Sequence, residues 1–214
     1  MNLLVTAGAT REFLDEIRFL SNLSSGKMGT AIAAAAAEAG HAVTLVSGPT
    51  HLPTPPGLTR VDVESAQEML DTLKQRWDRA DALVMAAAVA DYRPALRMPG
   101  KMKKAGADEL TLQLVRTSDI LSELARDKGR RVLVGFALET EGLLAEATRK
   151  LSAKSLDAVV ANSLENLGSD RGTVTVIEAS GKTETWTNLP KAELGLRLVA
   201  LCERLVREKP GART

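Results

Sequence analysis

Residues 2–8 read NLLVTAG. A short apolar run that ends near Gly8 indicates a strand buried on both faces, as strands of parallel sheets are. Residues 26–40, GKMGTAIAAAAAEAG, have a helical composition, and Gly40 is a plausible helix stop. Residues 42–46 form the next apolar run. A strand, a helix and a strand at this spacing predict a parallel sheet covered by helices.

The rest of the chain repeats this alternation. Further strands are predicted at residues 60–63, 82–88, 109–115, 132–138 and 158–161, and further helices at 65–80, 118–128, 143–155 and 189–208. A β-hairpin is predicted from residues 173–178 and 183–187, joined across Ser180 and Gly181. We therefore predict an α/β, Rossmann-like doubly wound fold with a mainly parallel sheet, helices on both faces and a small β-hairpin extension. Residues 1–208 are expected to form a single domain, and residues 209–214 a flexible tail.

The bulk composition limits the class of partner. The 214 residues include 28 Lys and Arg against 27 Asp and Glu, giving a net charge of +1, and 44% are hydrophobic. This balance is typical of a soluble protein and argues against a general surface for nucleic acid or membranes. We expect no nucleic-acid and no membrane partner, so any anion site must be a local cluster.

The only cysteine is Cys202, so no intrachain disulfide can form and a small buried hydrophobe is its simplest interpretation. Met1 leads directly into a strand, without a basic region followed by a long apolar run. These features suit a reducing cytoplasm, and we expect a cytoplasmic protein.

Ligands of such sheets bind at the carboxyl ends of the strands, here at the loops that begin after Thr6, Ala88 and Leu138. The first loop enters its helix through Ser24, Ser25 and Gly26. Backbone N–H groups and hydroxyls there could bind an anion, or the residues could serve only as a cap and a turn. The loop is long and lacks the glycine fingerprint of dinucleotide-binding proteins.

Lysines mark two further candidates. Lys101, Lys103 and Lys104 fall in the sequence KMKK, in a loop on the same edge of the sheet. Such a run is usually solvated surface, but a mobile lysine loop can close over a triphosphate and stabilise the leaving pyrophosphate. Lys150 and Lys154 lie four apart on a predicted helix, where they could bind phosphate or be tolerated as a surface pair.

Two single residues complete the candidates. Asp91 follows a predicted strand and could hydrogen-bond a ribose or a base, or cap its loop. Phe136 lies near the end of its strand, where core packing and a shelf for a stacked base are both open.

Taken in order, eight segments closely resemble phosphopantothenoylcysteine synthetase of the bacterial, CTP-using type. They are residues 6–12 (TAGATRE), 21–29 (SNLSSGKMG), 43–49 (VTLVSGP), 52–56 (LPTPP), 87–93 (AAVADYR), 101–104 (KMKK), 135–140 (GFALET) and 160–162 (VAN). The resemblance extends from Asn2 to about Glu203. Each motif alone is weak, whereas the ordered set is specific.

The resemblance implies a ligase of coenzyme A synthesis that joins 4′-phosphopantothenate to L-cysteine. The carboxylate attacks the α-phosphate of CTP and releases pyrophosphate, and the cysteine amine then displaces CMP from the acyl-cytidylate. Mg²⁺ is implied as the counter-ion of the triphosphate, held mostly by phosphates and water, and the sequence identifies no side chain as its ligand.

The resemblance also implies roles for individual residues. Asn22 matches an asparagine that handles the acyl-cytidylate, and Lys101 matches a lysine that assists activation in a mobile loop with Lys103 and Lys104. The implied CTP contacts are Met85, Ala86, Ala87, Asp91, Lys101, Ser118, Asp119, Ile120, Leu121, Phe136, Lys150 and Lys154. The implied contacts to phosphopantothenate or its phosphate are Gly8, Asn22, Ser24, Ser25 and Gly26.

Three positions depart from the family pattern. Ser118 replaces a proline, Leu138 replaces an alanine, and Leu23 replaces a polar or basic residue. Ser118 and Leu138 bear on the fit of the nucleotide, and Leu23 removes one potential phosphate donor. The resemblance further implies a homodimer, and a decarboxylase domain or subunit as a partner.

Two other classes of function fit the sequence less well. A short-chain dehydrogenase needs a tyrosine followed four residues later by a lysine, but the only tyrosine, Tyr92, is followed there by Leu96. A nucleotide-binding module without activity would be expected to lack Asn22 or the lysine loop, and both are present.

Overall fold

The computed structural model describes residues 1–103, 109–138 and 142–210. Its strands are β1 (Asn2–Ala7), β2 (Arg11–Phe13), β3 (Phe19–Ser21), β4 (Ala42–Ser47), β5 (Thr59–Asp62), β6 (Ala82–Met85), β7 (Tyr92–Pro94), β8 (Leu114–Arg116), β9 (Val132–Leu138), β10 (Ala158–Asn162), β11 (Arg171–Glu178) and β12 (Thr183–Pro190). Its α-helices are α1 (Lys27–Glu38), α2 (Ala66–Trp77), α3 (Ile120–Ala125), α4 (Leu143–Ala153) and α5 (Lys191–Glu208), and a 3₁₀ turn covers Leu164–Asn166.

An eight-stranded sheet forms the centre of the molecule, in the order β12-β11-β10-β9-β6-β1-β4-β5. The strands from β10 to β5 run parallel, and β11 and β12 are antiparallel additions at one edge. From β1 the chain builds outward to β4 and β5, and from β6 it builds the other way. The strand order therefore reverses between β1 and β6, which is where ligands bind in doubly wound sheets.

Alternate residues of each buried strand face different layers of helices. Leu3 and Val5 of β1 belong to the core that includes α1 and α5, whereas Leu4 belongs to the core formed with α2, α3 and α4. The approach of α1 to β1 is close enough to require a glycine. A Cβ atom on Gly29 would lie 2.3 Å from the carbonyl oxygen of Thr6.

The predicted α/β class is confirmed, including helices on both faces of a mainly parallel sheet. The predicted bounds of β9 are also confirmed. At the start of α2, the Ser65 hydroxyl accepts a hydrogen bond from the Glu68 N–H. Cys202 is fully buried in the core.

Several predicted elements have different bounds in the structure. The strand predicted at 82–88 ends at Met85, and the helix predicted at 65–80 ends at Trp77. The strand predicted at 109–115 is reduced to β8, because its partner β7 offers only three residues for pairing. The helix predicted at 118–128 is α3, which starts only after its cap Asp119. The predicted β-hairpin is confirmed as β11 and β12, and it extends the central sheet because β11 pairs with β10.

The loop predicted between residues 6 and 27 contains a hairpin. Strands β2 and β3 pair antiparallel, with Phe13 opposite Phe19, and β2 packs beside β7. Both short hairpins, β2–β3 and β7–β8, follow the carboxyl ends of central strands. They therefore stand on the edge of the sheet where a ligand is expected.

Candidate functional site

A cavity of about 410 Å³ lies at the carboxyl edge of the sheet, between the ends of β6 and β9 and the start of α3. We refer to it as the edge cavity. Its walls come from β6, the loop after β6, the β8–α3 connection, β9 and α4. The lining residues are Met85, Ala87, Val89, Asp91, Tyr92, Arg116, Thr117, Ser118, Asp119, Ile120, Leu121, Phe136, Lys150 and Lys154.

The edge cavity gathers most of the residues implied as CTP contacts. Those on its wall are Met85, Ala87, Asp91, Ser118, Asp119, Ile120, Leu121, Phe136, Lys150 and Lys154. The structure brings these residues together from segments up to 69 positions apart, counting from Met85 to Lys154.

Two of the implied CTP contacts lie off the cavity wall. Ala86 is half-buried and packs against the core on the side of α1 and α5, because successive residues at the end of β6 face opposite sides of the sheet. Lys101 is exposed, in the segment that follows Gly100. Lys103 is exposed in the same segment, and Lys104 lies outside the described residues.

The cavity wall also includes four residues that were not among the predicted contacts, Val89, Tyr92, Arg116 and Thr117. Arg116 ends β8 and Tyr92 begins β7, and these two residues are paired across the small hairpin. The pairing brings a cation and an aromatic ring to the same wall. The sequence signal was weak, because the strands that carry them are only three residues long.

Charged side chains of both signs face the edge cavity. Arg116, Lys150 and Lys154 provide positive charge, and Asp91 and Asp119 provide negative charge. The Lys150 ammonium donates a hydrogen bond to the Phe136 carbonyl oxygen. A phosphate-bearing ligand would meet cations there, and the carboxylates could accept hydrogen bonds from hydroxyl or amino groups.

Asp119 has two partners. Its Oδ1 atom accepts a hydrogen bond from the Ser122 N–H at 3.2 Å and caps α3, and its Oδ2 atom lies 2.7 Å from Lys154 Nζ. Burial opposes ionisation of Asp119, but the hydrogen bonds from Lys154 and Ser122 outweigh it, so the pKa of this carboxyl is lowered. Asp119 is therefore an ionised partner for Lys154.

Buried threonines fix the loop that follows β6. The Thr6 hydroxyl accepts from the Ala87 N–H at 3.0 Å, and the Thr10 hydroxyl accepts from the Ala90 N–H at 3.0 Å. On the opposite side, the Thr117 hydroxyl donates to the Ala90 carbonyl at 2.6 Å. Thr6 and Thr10 are fully buried. These bonds tie the loop after β6 to the segments that contain Thr6, Thr10 and Thr117.

Asn22 contacts the same loop from the other side. Its Nδ2 atom donates to the Val89 carbonyl at 3.1 Å and to the Ala88 carbonyl at 3.4 Å. In the part of the chain that the structure describes, no group donates to its Oδ1 atom. For Nδ2 to donate to a ligand oxygen, Asn22 must release one of these two bonds, and the bond to the Ala88 carbonyl is the longer.

The start of α1 brings two of the implied phosphate contacts together. Gly26 precedes the helix with φ of 77°, and no side chain caps it. A Cβ atom on Gly26 would lie 3.1 Å from the Gly8 nitrogen, so the two glycines are in contact. Ser24 and Ser25 instead line a neighbouring depression with Arg11 and Arg60. The five implied contacts therefore do not share one cavity.

Within residues 1–103, 109–138 and 142–210, no three His, Cys, Asp or Glu side chains cluster closely enough to hold a metal ion. Across the same ranges, no helix has the length and apolar character needed to cross a membrane.

Comparison with known proteins gives one consistent family. Residues 1–205 match the model of the DNA/pantothenate metabolism flavoprotein C-terminal domain. The chain is 41% identical over 211 residues to the coenzyme A biosynthesis bifunctional protein CoaBC of Vibrio vulnificus (strain CMCP6), covering 96% of this chain and 52% of that protein. It is 48% identical over 165 residues to the protein of the same name from Escherichia coli (strain K12), covering 76% of this chain and 41% of that protein.

A solved structure gives the same result. The crystal structure of the C-terminal domain of a coenzyme A biosynthesis bifunctional protein CoaBC superposes with a TM-score of 0.85 at 37% identity, covering 97% of this chain and 96% of that one. The present chain spans about half the length of the curated relatives it matches.

Proposed function

Because this chain belongs to the family of the DNA/pantothenate metabolism flavoprotein C-terminal domain, we propose that it is a ligase of coenzyme A synthesis. It would condense 4′-phosphopantothenate with L-cysteine and use CTP to activate the carboxylate. The observation that carries the proposal is the edge cavity, which is lined by ten of the residues implied as CTP contacts. The similarity to proteins named for coenzyme A biosynthesis supports the same assignment.

In the first step, a carboxylate oxygen of phosphopantothenate attacks the α-phosphorus of CTP, and the bond from that phosphorus to the pyrophosphate oxygen breaks. The cations of the edge cavity, Lys150, Lys154 and Arg116, would stabilise the negative charge of the triphosphate. Lys101, which is exposed in the segment that follows Gly100, would assist the departure of pyrophosphate. The products are an acyl-cytidylate and pyrophosphate.

In the second step, the cysteine nitrogen attacks the acyl carbon, the bond from that carbon to the CMP oxygen breaks, and the amine loses a proton. Asn22 lies at the edge of the loop that lines the cavity, bonded to Val89. Its Oδ1 acceptor suits the approaching amine, and its Nδ2 donor suits the acyl oxygen. A neutral amide can serve either contact without adding charge beside the carboxyl group that reacts.

The nucleotide would lie with its base against Phe136 and its phosphates toward the lysines. Phe136 is half-buried, so one part packs on the core while another faces the edge cavity. Asp91 would accept hydrogen bonds from the ribose or the base. Ser118, which replaces the proline of the family pattern, is on the cavity wall. We also propose that CTP is preferred over ATP and UTP.

Mg²⁺ is proposed as the counter-ion of the triphosphate, held by phosphate oxygens and water, which is its usual mode in nucleotide sites. The donor set fits this mode, since Asp91 and Asp119 are the carboxylates on the cavity wall and Asp119 already holds Lys154. We assign the metal no side chain of this chain.

The assembly is part of the proposal. We propose a single domain over residues 1–208 that acts in the cytoplasm as a homodimer, with a decarboxylase domain or subunit as a further partner. Strand β12 is an edge of the central sheet and could pair with a second copy. Light scattering at micromolar concentration tests the dimer, and a monomeric mass would contradict it.

The function is tested by pyrophosphate release. Phosphopantothenate and Mg²⁺ are supplied with CTP, ATP or UTP, with cysteine present or omitted. The proposal expects release with CTP that turns over only when cysteine is added and that is weaker in Lys101→Gln. Lys182→Gln, an exposed lysine in the turn between β11 and β12, is the matched control and should behave as wild type. Absence of release with every nucleotide would overturn the proposal in favour of a binding module.

A further inference from the structure

Asp15 is a fully buried carboxylate in the turn between β2 and β3. Its Oδ1 atom accepts hydrogen bonds from the backbone N–H groups of Ile17 at 2.8 Å and Arg18 at 2.7 Å. Its Oδ2 atom accepts from Arg18 Nε at 2.9 Å and lies 2.8 Å from Arg18 Nη2. These contacts satisfy the turn itself.

One further bond leaves the turn. The Oδ2 atom of Asp15 accepts a hydrogen bond from the Met102 N–H at 3.0 Å, across 87 positions of sequence. Arg18 Nη2 donates to the Met102 carbonyl oxygen at 2.7 Å. Both polar groups of the Met102 backbone are therefore bound by the same ion pair. We refer to Asp15, Arg18 and the Met102 backbone as the clamp.

Two other contacts join the same segments. The Met98 N–H donates to the Leu14 carbonyl at 2.8 Å. The Arg97 guanidinium lies over the Phe13 ring, 4.7 Å from its centroid. Residues 97–102 are therefore attached to the tip of the β2–β3 hairpin at several points, of which the clamp is the last before Lys103.

The base of the hairpin is fixed next to Asn22. The Ser21 hydroxyl donates to the Thr10 carbonyl at 2.7 Å, and Asn22 bonds to Val89 in the loop after β6. One short hairpin thus holds Asn22 at its base and the neighbour of Lys101 at its tip. Asn22 and Lys101, the two residues with implied catalytic roles, are therefore linked through the backbone of the hairpin and the clamp.

We propose that Asp15 is a positioning residue, which sets the place of Lys101 relative to Asn22 and the edge cavity through the Met102 backbone. The role rests on the proposed ligase function. Asp15 does not touch the substrates; it orders the segment from which Lys101 extends. The hydrogen bonds that Asp15 accepts, above all the one from the Arg18 N–H, hold the pKa of this carboxyl well below its usual range. The carboxylate of the clamp is therefore ionised at neutral pH.

Asp15→Asn separates the two roles of the carboxylate. The amide oxygen can keep the bonds to the Ile17 and Arg18 N–H groups, so the turn is retained. The amide nitrogen then faces the Met102 N–H, donor against donor, and the bond to the lysine segment is lost. Asp157→Asn is the matched control, because Asp157 is another nearly buried carboxylate, held by Lys128 and Lys209 at the opposite edge of the sheet.

The first readout needs no activity. Hydrogen exchange at the Met102 amide should be about tenfold or more faster in Asp15→Asn than in wild type, since an amide bonded to a buried group is protected from exchange until the site opens. Asp157→Asn should leave it unchanged. Unchanged exchange in Asp15→Asn would overturn the clamp. If this variant does not fold, Met102→Pro removes the same N–H donor and takes its place, with the rate test below as its readout.

The second readout is a double-mutant cycle on pyrophosphate release. We expect Asp15→Asn to lower kcat by about tenfold or more, because misplacing a reacting group by about 1 Å can cost on the order of a hundredfold in rate. The KM for CTP should change by less than about twofold. In a Lys101→Gln background, the same substitution should change kcat by less than about twofold, because coupled residues are not additive.

An equal loss of kcat in both backgrounds would overturn the proposal, since Asp15 would then act without Lys101. Failure of the ligase function has a different signature, because wild type itself would release no pyrophosphate with any nucleotide. A clamp failure leaves wild-type activity intact and shows only in the cycle or in the Met102 exchange.

Discussion

Lys154 Nζ lies 2.7 Å from Asp119 Oδ2 on the wall of the edge cavity. The lysine follows the last turn of α4, and the aspartate caps α3. This ion pair keeps the Lys154 ammonium at the cavity, because the Asp119 carboxylate is itself held at the start of α3. A triphosphate that enters the cavity would meet a lysine whose position is set in advance.

Lys154→Gln is predicted to weaken CTP binding. Replacing a charged donor by a neutral one removes a charge-assisted hydrogen bond, and we expect the KM for CTP to rise about tenfold, equivalent to about 1.4 kcal/mol. Steady-state pyrophosphate release measures it, with Lys182→Gln as the control. A KM within about twofold of wild type would show that Lys154 does not contact the nucleotide.

Phe136→Leu is predicted to affect the nucleotide and not phosphopantothenate. Stacking of a base on an aromatic ring contributes about 1–3 kcal/mol, so the KM for CTP should rise by about tenfold or more. Because leucine keeps most of the apolar volume, the melting temperature should fall only slightly. An equal rise in KM for both substrates would contradict a stacking role.

Cys202 is predicted to be unreactive in the folded protein. Burial, with smaller contributions from Glu203 and Asp157, raises the pKa of its thiol from 9.0 to about 12. The folded state then holds the proton more tightly than the unfolded state, so this contribution to stability is present below pH 9 and is lost as pH rises toward 12. Labelling with a disulfide reagent at pH 8 should occur only after urea unfolding, and rapid labelling of native protein would contradict burial.

Asp157→Asn is predicted to destabilise the fold without changing the chemistry. Asp157 accepts a hydrogen bond from the Leu133 N–H at 2.7 Å and binds Lys128 and Lys209 at 2.7 and 2.6 Å. Loss of its charge removes charge-assisted bonds, and the free energy of unfolding should fall by about 2 kcal/mol. Urea unfolding at pH 7 measures this. A matching loss of kcat at temperatures where the variant is folded would contradict a purely structural role.

The elements predicted well from sequence are those whose burial pattern and capping residues can be read from the residues of the element itself. β9 is an apolar run buried along most of its length, and α2 carries its own cap in Ser65. Their periodicity and capping residues depend little on the rest of the chain. The parallel order of the sheet follows from the strand and helix alternation.

The β2–β3 hairpin could not be predicted in this way. Its strands have three residues each, too few for a period, and the contacts that hold it are distant in sequence. The Arg11 N–H donates to the Glu64 carbonyl at 2.7 Å, and Asp15 binds Met102. A buried aspartate in a turn looks like an ordinary turn residue until its distant partner is known.

The site was predicted in part, for a similar reason. For Phe136, Lys150 and Lys154, the spacing in the sequence allowed both a functional and a structural interpretation. The resemblance favoured the functional one. Thr6 and Thr10, which fix the cavity loop, fall within the matching segment 6–12, but no role was predicted for their hydroxyls, because threonine in and beside strands is common for reasons of packing. Their hydroxyl bonds appear only when β1 and β6 lie side by side.

The acyl-cytidylate mechanism can be tested by following one oxygen atom. Phosphopantothenate labelled with ¹⁸O in its carboxylate is converted with CTP, Mg²⁺ and cysteine, and the products are analysed by mass spectrometry. Because the carboxylate oxygen that attacks the α-phosphorus stays with it when the amine displaces CMP, we expect one ¹⁸O atom in CMP and none in pyrophosphate. Label in orthophosphate, with CDP as the other product, would mean activation at the γ-phosphate and would contradict the acyl-cytidylate.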